Sequence, residues 1–186
     1  VGDDAMNRLN TVFVLVTAFV GVFMEAWVDV FRDYLGTQIG VLPALMVYTS
    51  LTQSMGLVAA LAVMGGLWLD SLSCNPLGVT ILPLFIAGML IHIYRELLLK
   101  ENLFAQSVLG AAASVVCPLG TVFLLLNGGE APPLGWKSIW QFVVMGLGGA
   151  ALTPILFVYF ELLNRTFNYQ PATQSSFRPD REIRYK

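Results

Sequence analysis

Charged residues in this chain come in short clusters, and long uncharged runs lie between them. No charge falls between Arg8 and Glu25, Asp33 and Asp70, Asp70 and Arg95, Glu101 and Glu130, or Lys137 and Glu161. The runs are apolar on all sides rather than alternating, which predicts helices and not barrel strands. With a rise of about 1.5 Å per residue, about 20 residues of helix cross a hydrocarbon core. The 36 residues between Asp33 and Asp70 hold two crossings, and the polar stretch Thr49-Ser50-Leu51-Thr52-Gln53-Ser54 is the obvious turn. Six spans follow, over roughly 10–30, 38–52, 54–72, 77–96, 102–126 and 137–162. Pro43, Pro83, Pro118 and Pro154 lie within them. Proline is tolerated there because neighbouring helices can satisfy the freed carbonyls.

Composition sharpens this to an all-α integral membrane protein. The 186 residues are 56% hydrophobic and only 12% charged, about half the charge of a soluble domain, which excludes a disordered chain and a coiled coil. Ten basic residues against twelve acidic ones offer no basic surface for nucleic acid. If the N-terminus is cytoplasmic, Arg8, Arg95, Lys100, Arg165, Arg178, Arg181, Arg184 and Lys186 fall inside, and Arg32 and Lys137 outside. That bias predicts that both termini are cytoplasmic. Residues 1–167 form the membrane domain, and 168–186 read as a flexible, polar, proline-interrupted tail near an anionic leaflet. The N-terminal segment lacks the basic start of a signal peptide.

Catalytic constellations are hard to find. Glu25, Asp29, Arg32 and Asp33 cluster at the outer end of span one, where Asp29 and Arg32 are spaced to pair. They read either as a solvated helix end, the simpler case, or as an acidic docking patch for a partner's periplasmic segment. His92 and Glu96 share a face at the inner end of span four, beside Arg95, which is expected to snorkel to the headgroups. One His and two Cys, Cys74 and Cys117, make neither a metal site nor a disulfide at their expected depths. No cofactor is implied. Small residues at four-residue spacing are a stronger signal: Gly56 and Ala60, Ala62 and Gly66, Gly110 and Ser114, Gly146 and Ala150. Such stripes let helices approach closely, mostly within the chain.

The most specific stretch is Gly65-Gly66-Leu67-Trp68-Leu69-Asp70, then Ser71-Leu72-Ser73-Cys74-Asn75, then Pro76-Leu77-Gly78. A glycine-rich helix ends in Asp, and a polar turn leads into Pro-Leu-Gly and a new apolar helix. Pro43-Ala44-Leu45 opens a short span upstream, and Arg95 closes the fourth. This pattern resembles the rod shape-determining MreD family, small six-span proteins with a G-x(3–4)-D-x(5)-P-L-G motif. The motif covers about residues 40–100. The resemblance implies a non-enzymatic scaffold in bacterial peptidoglycan elongation, binding the bitopic protein MreC. Its other implied partners are the actin-like MreB, the polymerase RodA, a transpeptidase, and membrane lipid. The family's fold looks similar to the substrate-binding subunit of energy-coupling-factor transporters. That likeness supplies the alternative, a vitamin-binding subunit with Trp27, Trp68, Asp70, Asn75, Asn127 and Trp136 around an outer pocket.

Asp70 is expected at the outer boundary. Its carboxylate would accept hydrogen bonds from the Ser71–Gly78 turn and fix the angle between two helices.

Overall fold

A computed structural model describes residues 2–27, 40–73, 76–95, 102–129 and 135–167. Among these residues the chain is entirely helical, with no strand. The helices are α1 (Gly2–Trp27), α2 (Val41–Thr52), α3 (Met55–Leu72), α4 (Ile81–Ile93), α5 (Leu103–Asn127) and α6 (Trp136–Phe167). Three of them, α3, α5 and α6, are long and apolar enough to cross a membrane. α1 has 26 residues, and α2 and α4 have 12 and 13. The second and fourth helices are therefore shorter than the spans 38–52 and 77–96 read from the charge pattern. Absence of charge marks where a chain can be apolar, not where its backbone turns helical.

α2 is the centre of the molecule. Every residue from Leu42 to Leu51 is buried, and α2 packs against each of the other five helices. Its sequence explains this, because a helix apolar on all sides is stable only inside a larger assembly. Around it, α1 packs on α3, α3 on α4, α4 on α5 and α5 on α6. The main core joins Val14, Ala18 and Val22 of α1 to Leu42, Leu45 and Met46 of α2. It continues through Val58 and Leu61 of α3, Leu84 of α4, and Leu156 and Phe160 of α6. Tyr48 of α2 stacks on Phe160 at 4.2 Å between ring centroids and meets Phe157 edge-on at 5.1 Å.

Pro43 and Pro83 each occupy the third position of their helices, where the missing N–H has no partner to lose. Pro118 and Pro154 are interior to α5 and α6. Three buried threonine hydroxyls turn back on their own helices. Thr49 donates to the Leu45 carbonyl at 2.8 Å, Thr121 to Cys117 at 3.1 Å and Thr153 to Gly149 at 2.8 Å. The outer surface is apolar. Val16, Val20, Val63, Ile86, Leu90, Val116, Phe123, Leu147, Ile155 and Leu162 are all exposed. A surface this apolar over five helices is far larger than the patches soluble monomers tolerate.

Candidate functional site

Asp70 lies in the last turn of α3 and is the most deeply buried carboxylate among the described residues, 1% exposed. One oxygen, Oδ2, accepts the Gly78 N–H at 2.7 Å and the Thr80 N–H at 3.2 Å. The other, Oδ1, accepts the Thr80 hydroxyl. The donors thus sit at the far end of the turn and just beyond it, at the residue preceding α4. Charged acceptors form the stronger class of hydrogen bond, and an anion at a helix N-terminus also gains from the backbone dipole.

The surrounding residues make that grip possible. Gly78 has φ +96°, a backbone conformation that L side chains rarely adopt, and it aims its N–H at Asp70. Gly66 lies against the first turn of α4. A Cβ there would sit 3.0 Å from the Ile81 Cα and 3.1 Å from its N. Gly65 faces α2, where a Cβ would come within 2.6 Å of Leu42 Cδ1. Pro76 is exposed, and its carbonyl accepts the Val79 N–H at 3.4 Å. Leu77 is 70% exposed. The motif residues Gly65, Gly66, Asp70 and Gly78 therefore lock α3 to α4 and α2, while Pro76 and Leu77 sit on the surface of the turn. Cys74 and Asn75 lie outside the described residues.

A second set of polar side chains holds α2 by both ends. Glu25 of α1 is half-buried, and its Oε2 accepts the N–H of Val41, the first residue of α2, at 3.2 Å. No side chain of α2's own N-cap residue, Gly40, can do this. At the other end, His92 Nδ1 lies 3.0 Å from the Ser50 carbonyl, and an Arg95 guanidinium N–H donates to the Gln53 carbonyl at 3.4 Å. An acid at the N-terminus and a base at the C-terminus match the helix dipole in sign. Arg95, expected to snorkel to the headgroups, places a guanidinium N–H against the end of α2. Glu25, read as part of a solvated end or an acidic patch, also faces inward to α2. Asp29, Arg32 and Asp33 of that cluster lie outside the described residues, as do Glu96 and the 168–186 tail.

The small-residue stripes pair α5 with α6. A Cβ on Gly110 would collide with the Thr153 hydroxyl and come within 2.5 Å of the Gly149 carbonyl. One on Gly149 would collide with Ser114 and come within 2.6 Å of the Gly110 carbonyl. Gly146 faces Val115 at 3.1 Å. Gly56, by contrast, is exposed and meets nothing within 4 Å.

Sequence reasoning missed the roles of Thr80, Ser50 and Gln53. A hydroxyl preceding an apolar helix was a usable signal for Thr80. Main-chain carbonyls 42 residues away in sequence from His92 and Arg95 leave no pattern to read.

Among the described residues, no group of three or more His, Cys, Asp or Glu is placed to hold a metal ion. No family model matches the chain, and neither a curated protein nor a solved structure matches it.

Proposed function

We propose that this chain is a six-span, non-enzymatic membrane scaffold of the MreD type, serving the bacterial cell-elongation machinery. The observation that carries the reading is the Gly65-Gly66…Asp70…Pro76-Leu77-Gly78 motif together with the use the fold makes of it. Its one carboxylate is consumed in tying two helices together, which suits a residue whose job is shape rather than turnover.

Further support comes from charge and composition. The succession of six apolar helices, α1 to α6, suits a chain that crosses back and forth with both ends in the cytoplasm. The distribution of basic residues, eight against two, favours that orientation in an inner membrane. The short α2 joins the crossings by being held inside the bundle by Glu25, His92 and Arg95, and the short α4 by being tied to α3 through Asp70.

The partner in this reading is an MreC-like protein with one transmembrane helix and a periplasmic body. Its helix packs against this chain, and its juxtamembrane segment meets the outer end of α1 near Asp29, Arg32 and Asp33. Glu25 contributes by fixing the joint between α1 and α2 beneath them. Lipid gives no hydrophobic reason for helices to dock, so the contact rests on close packing and polar groups at helix ends. MreB, RodA and the transpeptidase would join through the same assembly.

Purification of the tagged chain from its own membranes in mild detergent tests the proposal. Co-purification of a one-span periplasmic coiled-coil protein is the expected result. Recovery of an ATPase module with a retained vitamin-sized ligand would replace the scaffold by a transporter subunit.

A further inference from the structure

The helices differ greatly in apolar length, and the short ones lie together. α4 has 13 residues, about 20 Å of helix. Its outward row is Leu82, Ile86, Leu90 and Ile93, all exposed, and spans about 17 Å from first to last. The ends of α4 are fixed by chemistry. Asp70 holds Gly78 and Thr80 before it, and Arg95 after it reaches the Gln53 carbonyl. Thr80 and Arg95 stand about 22 Å apart at helical rise. Tyr94, 55% exposed beside Arg95, is a residue type that sits at headgroup level. Counting the exposed Leu77 of the preceding turn at helical rise extends the apolar side only to about 26 Å.

The element beside α4 on one flank does not make up the difference, since α3 has 18 residues, about 27 Å. On the other flank the apolar lengths of α5 and α6 are 25 and 26 residues, about 38 Å. A helix longer than the bilayer can tilt to fit, but one shorter than a hydrocarbon core of about 30 Å cannot lengthen. With both of its ends tied into the fold, α4 cannot slide to meet a thicker membrane either. The lipid must adapt.

We propose that the α3–α4 side is a lipid-binding face that seats a locally thin bilayer and selects phospholipids with short acyl chains. The face presents apolar side chains between two polar boundaries, so chain length rather than headgroup is what it reads. α5 and α6 hold the opposite side in bilayer of ordinary thickness, and the membrane around the protein is stepped. This rests on the membrane-spanning reading given above.

The test uses the full chain with Trp27, Trp68, Trp136 and Trp140 replaced by Phe and one tryptophan restored or introduced. Ile86→Trp reports on the α4 face, and native Trp140 alone reports on α6. Each protein is reconstituted in monounsaturated phosphatidylcholines with chains of about 14 to 22 carbons, in competition with a brominated lipid that quenches tryptophan. The expected result is a several-fold preference for the shortest chains at position 86 and a longer optimum at position 140. An equal optimum at both positions, or a preference for long chains at 86, would overturn the proposal. Quenching at 140 without quenching at 86 would also overturn it, because the α4 face would then be covered by protein. Quenching at neither position would remove the membrane-spanning reading itself. Thermal unfolding of the unmutated protein across the same lipids gives a second readout. Stability should be highest in chains shorter than those that best match α5 and α6, and a maximum in the longest chains would count against the thin face.

Discussion

Asp70 shows how one side chain sets the relation between two helices. Its two oxygens receive three donors from Gly78 and Thr80 while it is itself withdrawn from solvent. Truncation to Ala would leave the buried Thr80 donors without a partner and is expected to destabilise the protein by about 3 kcal/mol or more, at roughly 1–3 kcal/mol per orphaned group. Asp70→Asn keeps an acceptor for the two N–H groups and loses only the charge, so its effect should be smaller. Chemical unfolding in detergent ranks the two, and equal stability of Asp70→Ala and the parent would dismiss the anchoring role. Gly78→Ala meets no steric neighbour but must adopt a φ of +96°, so a loss of about 1–3 kcal/mol is expected from backbone strain alone. If Asp70 and Gly78 act through one hydrogen bond, the losses in a double variant will fall short of their sum.

Among the elements, α2 carries the clearest consequence. It is buried from Leu42 to Leu51, and side chains from other helices reach the N–H and C=O groups at its two ends. Glu25→Ala and Arg95→Ala should each lower stability, by up to about 2 kcal/mol where a charge faces a helix terminus in a partly buried site. Hydrogen exchange should localise the loss to the first and last turns of α2 respectively, and a uniform change across all helices would argue against end-holding. For the α5–α6 pair, Gly110→Val and Gly149→Val should disrupt the fold, whereas Gly56→Val, facing open surface, should be nearly neutral in the monomer. Gly66→Leu belongs with the first group, because the backbone of Ile81 occupies the space it needs. Much of this was legible in the sequence. Uncharged runs placed every described helix, and the spacing of Asp70 before Pro76-Leu77-Gly78 pointed to a carboxylate bonded within its own turn. Helix lengths and partners at long range were not legible. Pro43 and Pro83 mark first turns rather than interior kinks, and only packing shows that Glu25, His92 and Arg95 turn inward to α2.

At the scale of the whole molecule, the described residues form a helical bundle with an apolar outside and polar groups consumed inside, in which three helices are long and apolar enough to cross a membrane. Three helices meet the length requirement alone, and the proposed six crossings depend on α1, α2 and α4 being carried across by their neighbours. The scaffold role, the partner site at the outer end of α1 and the thin lipid face all depend on that topology. Labelling of single cysteines by an impermeant maleimide on intact spheroplasts, in a chain with Cys74 and Cys117 replaced by Ser, tests it most directly. Ser73→Cys and Gly128→Cys, in the α3–α4 and α5–α6 connections, should be labelled. Ser54→Cys, Asn102→Cys and Ser175→Cys should be labelled only after the membrane is broken. Labelling of the tail position Ser175→Cys in intact spheroplasts, with protection at 73 and 128, would contradict the account.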